Sequence, residues 1–217
     1  MDLLISASVL NADLADLKNE LLRTQEAGVD MIHLDVMDGS FTKSITFGDY
    51  VVGKLRPSSS LPFDTHLMVF NPTHLIPLFA KAGSDIITIH AESRCDIKEC
   101  LKMINHLNVK AGLSVSPETD VEKIFPYLPL CDMVLIMSVQ PGAGGQRFMP
   151  DALKRIKTVR KEADRLGLDL DIEVDGGINV ETAPLIFEAG ANIAVVGSYL
   201  FTADNMKEAV ESIRRGS

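Results

Sequence analysis

The chain repeats one pattern eight times: a short, β-rich apolar run, followed in most cases by a longer segment with helical spacing. The runs cover residues 3–10, 31–38, 62–69, 85–92, 109–116, 133–140, 170–177 and 192–199. They are apolar almost throughout and do not alternate, which is typical of parallel strands that are covered on both faces. Helices are predicted over residues 14–28, 73–83, 97–107, 119–128, 150–167, 179–190 and 205–216, and several of these end at a glycine just before the next strand.

Eight β-then-α units joined by parallel crossovers predict an α/β fold, a single (β/α)8 TIM barrel that spans residues 1–217 as one domain. A length of 217 residues suits one such barrel. A doubly wound open sheet is the alternative, but it more often has five to seven strands.

Charge and composition exclude several classes of protein. The net charge of −9 argues against a nucleic-acid binder, so an anionic ligand must be held by local donors. The first residues have no basic region typical of a secretory signal, and no apolar run is long enough for a membrane span. The three cysteines match no zinc pattern and are interpreted as reduced thiols. We expect a cytoplasmic, soluble protein.

Ionisable residues interrupt three of the apolar runs. They are His33 and Asp35 in HLDVMDG, His66 in DTHLMV and Asp175 in EVDGG. Side chains alternate along a strand, so His33 and Asp35 share one side, as do Glu173 and Asp175. A lone strand histidine is more often a core residue than a ligand, and an aspartate before glycine can be a turn residue, as Asp38 is interpreted here.

The coincidence of these residues changes that interpretation, because two buried aspartates without a cation are costly. Two imidazoles and two carboxylates from three strand ends predict a mixed N/O site for a divalent ion. His90 ends the fourth run without a matching acidic partner, and it is interpreted as a core residue or one that supports a ligand.

Glycine-rich loops follow the sixth, seventh and eighth strands: QPGAGGQRF (140–148), DGGIN (175–179) and VGSYLF (196–201). Such loops bring backbone N–H groups to an anion, and a short helix beginning after VGSYLF would add its dipole. Glycines can also merely allow tight turns. Their occurrence at three adjacent strand ends predicts a phosphate site, which is a recurring feature of these barrels.

Four motifs, HLDVMDGSF, DTHLMV, MSVQPGAGGQRF and EVDGGIN, occur in this order. Together they resemble the ribulose-phosphate 3-epimerase family across essentially the whole chain. The resemblance implies a TIM barrel of the ribulose-phosphate-binding type. It also implies an isomerase of carbohydrate metabolism that converts D-ribulose 5-phosphate to D-xylulose 5-phosphate in the pentose phosphate pathway. The implied cofactor is one divalent ion per subunit, zinc or alternatively iron, manganese, cobalt or magnesium, and the implied assembly is a homo-oligomer, dimer or hexamer.

The resemblance also implies roles for particular residues. The metal ligands would be His33, Asp35, His66 and Asp175, with Asp35 and Asp175 also the catalytic acid–base pair acting through an enediolate stabilised by the metal. Met37, Met68 and Met137 would form an apolar wall against that intermediate. The implied substrate-binding residues are Ser8, His33, His66, Gly142, Ala143, Gly144, Gly145, Asp175, Gly176, Gly177, Gly197 and Ser198.

Some positions depart from the family pattern. The first strand of the family usually carries a proline-containing, APSIL-like run, whereas here Ala7 precedes Ser8. In the loop after the second strand, Thr42, Lys43 and Ser44 replace the usual VPN. In the loop after the sixth strand, Gln140 and Ala143 replace the usual asparagine and phenylalanine. None is an implied ligand, but D-allulose 6-phosphate becomes an alternative substrate. A lysine-dependent aldolase or decarboxylase on the same barrel is a rival, although no predicted strand end carries a suitable lysine. A catalytically inactive barrel that acts as a binding module is another rival, and retention of all four ligands argues against it.

Overall fold

Eight parallel strands close into a barrel in the computed structural model, which describes residues 3–216. The strands are β1 (Leu4–Ser8), β2 (Met31–Met37), β3 (Phe63–Met68), β4 (Ile86–His90), β5 (Lys110–Val115), β6 (Met133–Met137), β7 (Asp171–Asp175) and β8 (Ile193–Val196). Each pairs with the next along the chain, and β8 pairs with β1. The predicted (β/α)8 TIM barrel is therefore confirmed. Met1, Asp2 and Ser217, which the prediction of one domain over 1–217 includes, lie outside the described residues.

Helices cover the outside of this barrel. They are α1 (Leu17–Glu26), α2 (Asp49–Leu55), α3 (Ile76–Ala82), α4 (Ile97–His106), α5 (Asp151–Leu166), α6 (Ala183–Glu188), α7 (Ser198–Phe201) and α8 (Met206–Gly216). Gly83 and Gly167 end α3 and α5 in the left-handed conformation, with φ of 100° and 66°, as the sequence predicted. The longest helix in residues 3–216, α5, has 16 residues, and none in that range is a candidate for a membrane span.

The structure differs from the sequence prediction at three segments. Helix α2 was not predicted, because Gly48, Gly53 and Pro57 have low helix propensity and the segment has only one buried face. The segment predicted as a helix over 119–128 is a 3₁₀ helix, Val121–Leu130, since prolines within it lack the N–H that an α-helix needs. The short helix expected after VGSYLF lies inside that motif, as α7.

Side chains inside the barrel lie in layers that alternate strands supply, as expected for eight tilted strands. The layer at the N-terminal ends of the strands is apolar, and its members pack on one another: Met31, Ile86, Met133 and Ile193. Beyond this layer lie residues that are polar yet buried, among them Ser6, Asp64 and Glu173 on the odd-numbered strands β1, β3 and β7, and His33 on β2. The barrel is therefore closed by an apolar layer at one end and becomes polar toward the C-terminal ends of the strands.

Candidate metal centre and active site

The four predicted metal ligands lie together at the C-terminal end of the barrel. One potential ligand atom of each of His33, Asp35, His66 and Asp175 lies within 4.8 Å of the corresponding atoms of the others. Asp35 Oδ1 is 3.3 Å from His33 Nε2 and 3.2 Å from His66 Nδ1. The first three residues are buried and Asp175 is partly exposed. The geometry required for a four-ligand site is present, and the role of these residues as ligands stays a prediction.

Acidic residues to which the sequence interpretation assigned no role lie beside His33 on the side away from the pocket. The Nδ1 of His33 lies 2.5 Å from Asp64 Oδ2 and 3.8 Å from Glu173 Oε1, and Ser6 Oγ donates a hydrogen bond to Asp64 Oδ2 at 3.2 Å. Burial lowers the pKa of His33, but Asp64 and Asp35 outweigh it and place the pKa well above its ordinary value. With Nδ1 committed to Asp64, Nε2 is the nitrogen that faces the site.

Asp64 and Glu173 differ in charge although both are fully buried. Burial raises the pKa of the Asp64 carboxyl, but the adjacent His33 outweighs it and lowers the pKa overall. Burial and then the charge of Asp64 raise the pKa of Glu173 well above its ordinary value. Two carboxyl groups in such a dry place cannot both ionise. Asp64 is therefore the carboxylate that orients His33, and Glu173 is the carboxylic acid beside it.

The two aspartates of the cluster also differ. Burial raises the pKa of Asp35, but the adjacent His33 more than offsets this and lowers the pKa below its ordinary value. Burial and the charge of Asp35 raise the pKa of Asp175 to about 7. In the protein without a bound cation, Asp35 is therefore ionised at neutral pH, while Asp175 exchanges a proton near pH 7.

His90 has an acidic partner, contrary to the sequence interpretation. Its Nε2 is 2.8 Å from His66 Nε2, and its Nδ1 is 2.9 Å from Glu92 Oε2. The signal was present, because Glu92 follows His90 by only two residues, within the run predicted over 85–92, although β4 ends at His90 and Glu92 lies in the turn after it. Burial lowers the pKa of His90 to about 4, so the ring is neutral at pH 7.

The donor set fits a divalent cation. Among the described residues, His33 Nε2 has no hydrogen-bond partner although it is buried. It lies beside Asp35 Oδ1, as His66 Nδ1 does, so two imidazole nitrogens and a carboxylate oxygen converge on one point. A divalent cation would satisfy these atoms, and a set of two imidazoles and two carboxylates is one that zinc and related ions accept.

A pocket opens above this cluster, and several predicted residues line it. Asp35 and Asp175 lie at its floor, and Met37, Met68 and Met137 form part of its wall. Ser8 lines it too, and its Oγ donates a hydrogen bond of 2.7 Å to Asp35 Oδ2. His33 and His66 are fully buried beneath Asp35, so their predicted contact with the substrate stays a prediction.

Glycine loops form the opposite side of the pocket, and every predicted loop residue lines it: Gly142, Ala143, Gly144, Gly145, Gly176, Gly177, Gly197 and Ser198. Within residues 3–216 none of their N–H groups donates to a backbone carbonyl in a turn or loop, and this includes the N–H groups of Gly144, Gly145, Gly177, Gly197 and Ser198. Free amides on adjacent loops can cradle an anion. Gly177 has φ of 64°, and a Cβ there would lie 2.3 Å from the backbone nitrogen of Phe148. Only glycine fits at this position without a shift of the backbone.

Asn11 also lines the pocket, and the sequence interpretation did not include it. Its amide lies between two of the loops, because a Cβ on Gly144 would be 2.6 Å from Asn11 Nδ2 and one on Gly197 would be 2.2 Å from Asn11 Oδ1. Asn11 ends a short 3₁₀ segment after β1, Val9–Asn11, which no spacing pattern indicates.

Comparison with known proteins agrees with the motifs. The profile of the Ribulose-phosphate 3 epimerase family matches residues 4–201. The ribulose-phosphate 3-epimerase of Bacillus subtilis is 46% identical over 211 residues, which cover 97% of each chain. The chloroplastic ribulose-5-phosphate-3-epimerase of Arabidopsis thaliana is 42% identical over 215 residues, covering 98% of this chain and 76% of the relative.

The chain belongs to the ribulose-phosphate 3-epimerase family.

Membership of the ribulose-phosphate 3-epimerase family makes the chain an isomerase. Solved barrels of other activities share its fold. A 3-keto-L-gulonate-6-phosphate decarboxylase from Vibrio cholerae has a TM-score of 0.74 at 17% identity and covers 100% of this chain and 97% of its own. A 3-hexulose-6-phosphate synthase has a TM-score of 0.70 at 19% identity, covering 100% and 99%. At such identities the likeness extends to the fold alone.

Proposed function

We propose that the protein epimerises C3 of a ketose phosphate and interconverts D-ribulose 5-phosphate and D-xylulose 5-phosphate. The observation that carries the proposal is the placement of the Asp35 and Asp175 carboxyls at the floor of one pocket, on β2 and β7. These strands are three steps apart around a ring of eight, so the carboxyls approach a bound sugar from different directions. Epimerisation next to a carbonyl needs a base on one face and an acid on the other.

The two carboxyls are suited to unlike roles. In the metal-free protein Asp35 is ionised and accepts a hydrogen bond from Ser8, whereas Asp175 holds its proton more tightly. In one direction Asp35 removes the C3 proton and Asp175 delivers a proton to the other face of the planar enediolate. In the reverse direction the roles exchange. Groups whose surroundings separate their pKa values in this way are typical acid–base pairs.

His33, Asp35, His66 and Asp175 would hold one divalent ion, zinc in the first instance. When bound, the ion supplies positive charge beside the oxygens of the enediolate and stabilises that anion. Met37, Met68 and Met137 present an apolar surface to the planar intermediate and keep water from its carbon atoms. Subunit assembly as a homo-oligomer and a cytoplasmic location belong to the same proposal.

The phosphate would lie on the glycine side of the pocket. The free N–H groups of Gly144, Gly145, Gly177, Gly197 and Ser198 favour an anion there, without any lysine or arginine in the pocket lining. This suits a chain with a net charge of −9, in which local dipoles must provide the attraction. A sugar phosphate bound this way extends from the glycines toward the two aspartates.

D-Allulose 6-phosphate is a second candidate substrate. Ala143 lines the pocket where the family usually has phenylalanine, and its small side chain leaves space for one more carbon. The loop after β2 closes toward the same place, since Ser44 Oγ donates a hydrogen bond to the Gly142 carbonyl at 3.2 Å.

A turnover assay tests the proposal. Purified protein loaded with Zn²⁺ is incubated with D-ribulose 5-phosphate, D-xylulose 5-phosphate and D-allulose 6-phosphate in parallel, with Asp175→Asn as the inactive control. The first two substrates should interconvert, with the highest kcat/KM of the panel. A preference for D-allulose 6-phosphate would select the second candidate, and turnover of none of the three would refute the proposed reaction.

A further inference from the structure

A chain of hydrogen-bonding groups runs from His66 on β3 to the loop after β4. His66 Nε2 lies 2.8 Å from His90 Nε2, and His90 Nδ1 lies 2.9 Å from Glu92 Oε2. The other oxygen of Glu92, Oε1, accepts a hydrogen bond of 2.9 Å from the backbone N–H of Ser116. Three consecutive groups are thus linked behind the nitrogen of His66 that faces away from Asp35.

The chemistry of these groups fixes the direction of each hydrogen bond. A carboxylate only accepts, so His90 must donate from Nδ1 to Glu92. A neutral imidazole has one N–H, which leaves His90 Nε2 as an acceptor. The contact of 2.8 Å between the two Nε2 atoms then requires the proton to be on His66. His66 therefore carries its proton on Nε2, and a lone pair on Nδ1 faces the cluster.

The surroundings hold this chain in place. His66 and His90 are fully buried, and their rings stack with centroids 5.0 Å apart. The Phe41 ring, from the loop after β2, covers His90 at 4.6 Å between centroids. Water is therefore kept from the one ring that determines the tautomer of His66.

We propose that His90 and Glu92 are positioning residues that hold His66 in the tautomer whose Nδ1 binds the divalent ion. This rests on the proposed function of the cluster as a metal site. It also assigns opposite tautomers to the two histidines, since Asp64 leaves Nε2 of His33 for the ion and His90 leaves Nδ1 of His66. Partners of this kind behind a ligand histidine raise metal affinity by orienting the ring.

Zn²⁺ affinity, measured by competition with a chelator, tests the proposal with matched variants. In His90→Leu the acceptor is lost, whereas in His90→Gln an amide oxygen reaches about as far from the backbone as Nε2 does. Thr88→Val is the control, because Thr88 precedes His90 by two residues on the same face of β4 and its Oγ1 has no partner in residues 3–216. Melting of the metal-free variants reports any general loss of packing.

His90→Leu should weaken Zn²⁺ binding by about tenfold to a hundredfold, His90→Gln should recover most of that loss, and Thr88→Val should bind as the wild type does. Wild-type affinity for His90→Leu would overturn the proposal. Equal weakening in the leucine and glutamine variants would overturn it too, because lost packing, and not a lost acceptor, would then explain the effect.

Nitrogen-15 NMR of labelled histidines in the metal-free protein decides the tautomers without any ion. The proposal expects a proton on His66 Nε2 and none on His90 Nε2, and the reverse arrangement would refute it. Absence of Zn²⁺ binding by the wild type would refute the metal site of the proposed function. The NMR result would still show separately whether His90 sets the tautomer of His66.

Discussion

The two sides of the pocket obtain their order by different means. On the β2–β4 side the polar groups are side chains, each held by another: Asp64 holds His33, His90 holds His66, and Ser8 holds Asp35. On the side formed by the loops after β6, β7 and β8, the polar groups are backbone amides positioned by glycines. One side depends on hydrogen bonds between buried groups, and the other on the absence of Cβ atoms.

This difference predicts how each side tolerates change. A buried hydrogen-bonded network loses function when one member is removed, because the remaining groups are left unsatisfied. A backbone site has no side chain to remove, and it is damaged when a side chain is added. Asp175 stands between the two sides, at the end of β7 and directly before Gly176 and Gly177.

Removal of a predicted metal ligand on the β2–β4 side of the pocket should have the largest effect. His66→Ala should lower Zn²⁺ affinity by more than about a hundredfold, since supporting partners alone account for up to that factor. Elemental analysis of the purified protein is the measurement. His74→Ala, at an exposed histidine outside the site, is the control and should keep its metal. Equal metal content in the two variants would remove His66 from the ligand set.

A fall in pH should weaken metal binding nearly as much as the removal of a ligand does. In the metal-free protein, Asp175 has a pKa of about 7 and His33 has a pKa well above its ordinary value, so both hold protons below pH 7. A divalent ion binds the deprotonated groups and must displace those protons. Affinity should therefore fall as pH falls from 7 to 5.5, by about tenfold per pH unit for each displaced proton.

Calorimetric titration with Zn²⁺ across this range gives the slope, which should lie between one and two decades per pH unit. Asp35 contributes nothing there, because its pKa is lowered and it is already ionised. An affinity independent of pH would contradict the assignment of Asp175 and His33 as the ligands that carry protons.

On the side of the pocket formed by the loops after β6, β7 and β8, two glycine-to-alanine variants test whether an added Cβ atom damages the phosphate site. Gly177→Ala places a Cβ 2.3 Å from the Phe148 nitrogen, whereas Gly145→Ala, at a similar φ of 72°, meets nothing within 4 Å. Both pay the conformational cost of about 1 kcal/mol for a left-handed residue, but only the first displaces the loop. We expect KM for the sugar phosphate to rise about tenfold or more in Gly177→Ala, the equivalent of about 1.4 kcal/mol.

Steady-state kinetics at fixed metal content separates the two glycine variants. Gly145→Ala serves as the matched control and should show a much smaller change in KM. A KM unchanged by Gly177→Ala would show that the phosphate does not depend on this loop.

The apolar wall should be the least sensitive part. Met68→Leu conserves volume and polarity, so its cost in stability should stay below about 1.5 kcal/mol, and kcat should change only slightly. Met68→Lys, which buries a charge beside the aspartates, is the contrasting variant. Thermal melting and kcat are measured for both variants. A large drop in kcat for Met68→Leu without a loss of stability would indicate that the methionine sulfur itself has a role.

Much of the fold was predictable because each strand is apolar enough to be recognised alone. Helix α2 was not predicted, since residues 48–57 carry glycines and a proline that mask its short buried face. The 3₁₀ segment Val121–Leu130 resembled an α-helix in its apolar spacing, but Pro126 and Pro129 prevent one. The need to cover the barrel therefore decided the structure of the first segment, and the two prolines decided that of the second.

The cluster of His33, Asp35, His66 and Asp175 was predictable from strand parity, from the position of these residues toward the strand ends of a barrel, and from the cost of burying two aspartates without a cation. The groups behind it were not, because their roles depend on which strands are neighbours and at what register. Asp64 supports His33 from the adjacent strand β3, where the two are paired, and His90 reaches His66 from β4. Asn11 enters from a loop without periodicity, so no pattern could place it between Gly144 and Gly197.

Solvent deuterium exchange at C3 tests the central claim most directly, that Asp35 and Asp175 serve opposite faces of one substrate. Each of Asp35→Asn and Asp175→Asn, shown by elemental analysis to keep its metal, is incubated in D₂O with D-ribulose 5-phosphate and with D-xylulose 5-phosphate. Epimerisation should fall by about a hundredfold or more in both variants. Each variant should still exchange the C3 proton of one epimer only, and the two variants should exchange opposite epimers. Near wild-type epimerisation by either metal-loaded variant, or exchange of both epimers by a single remaining aspartate, would contradict the account.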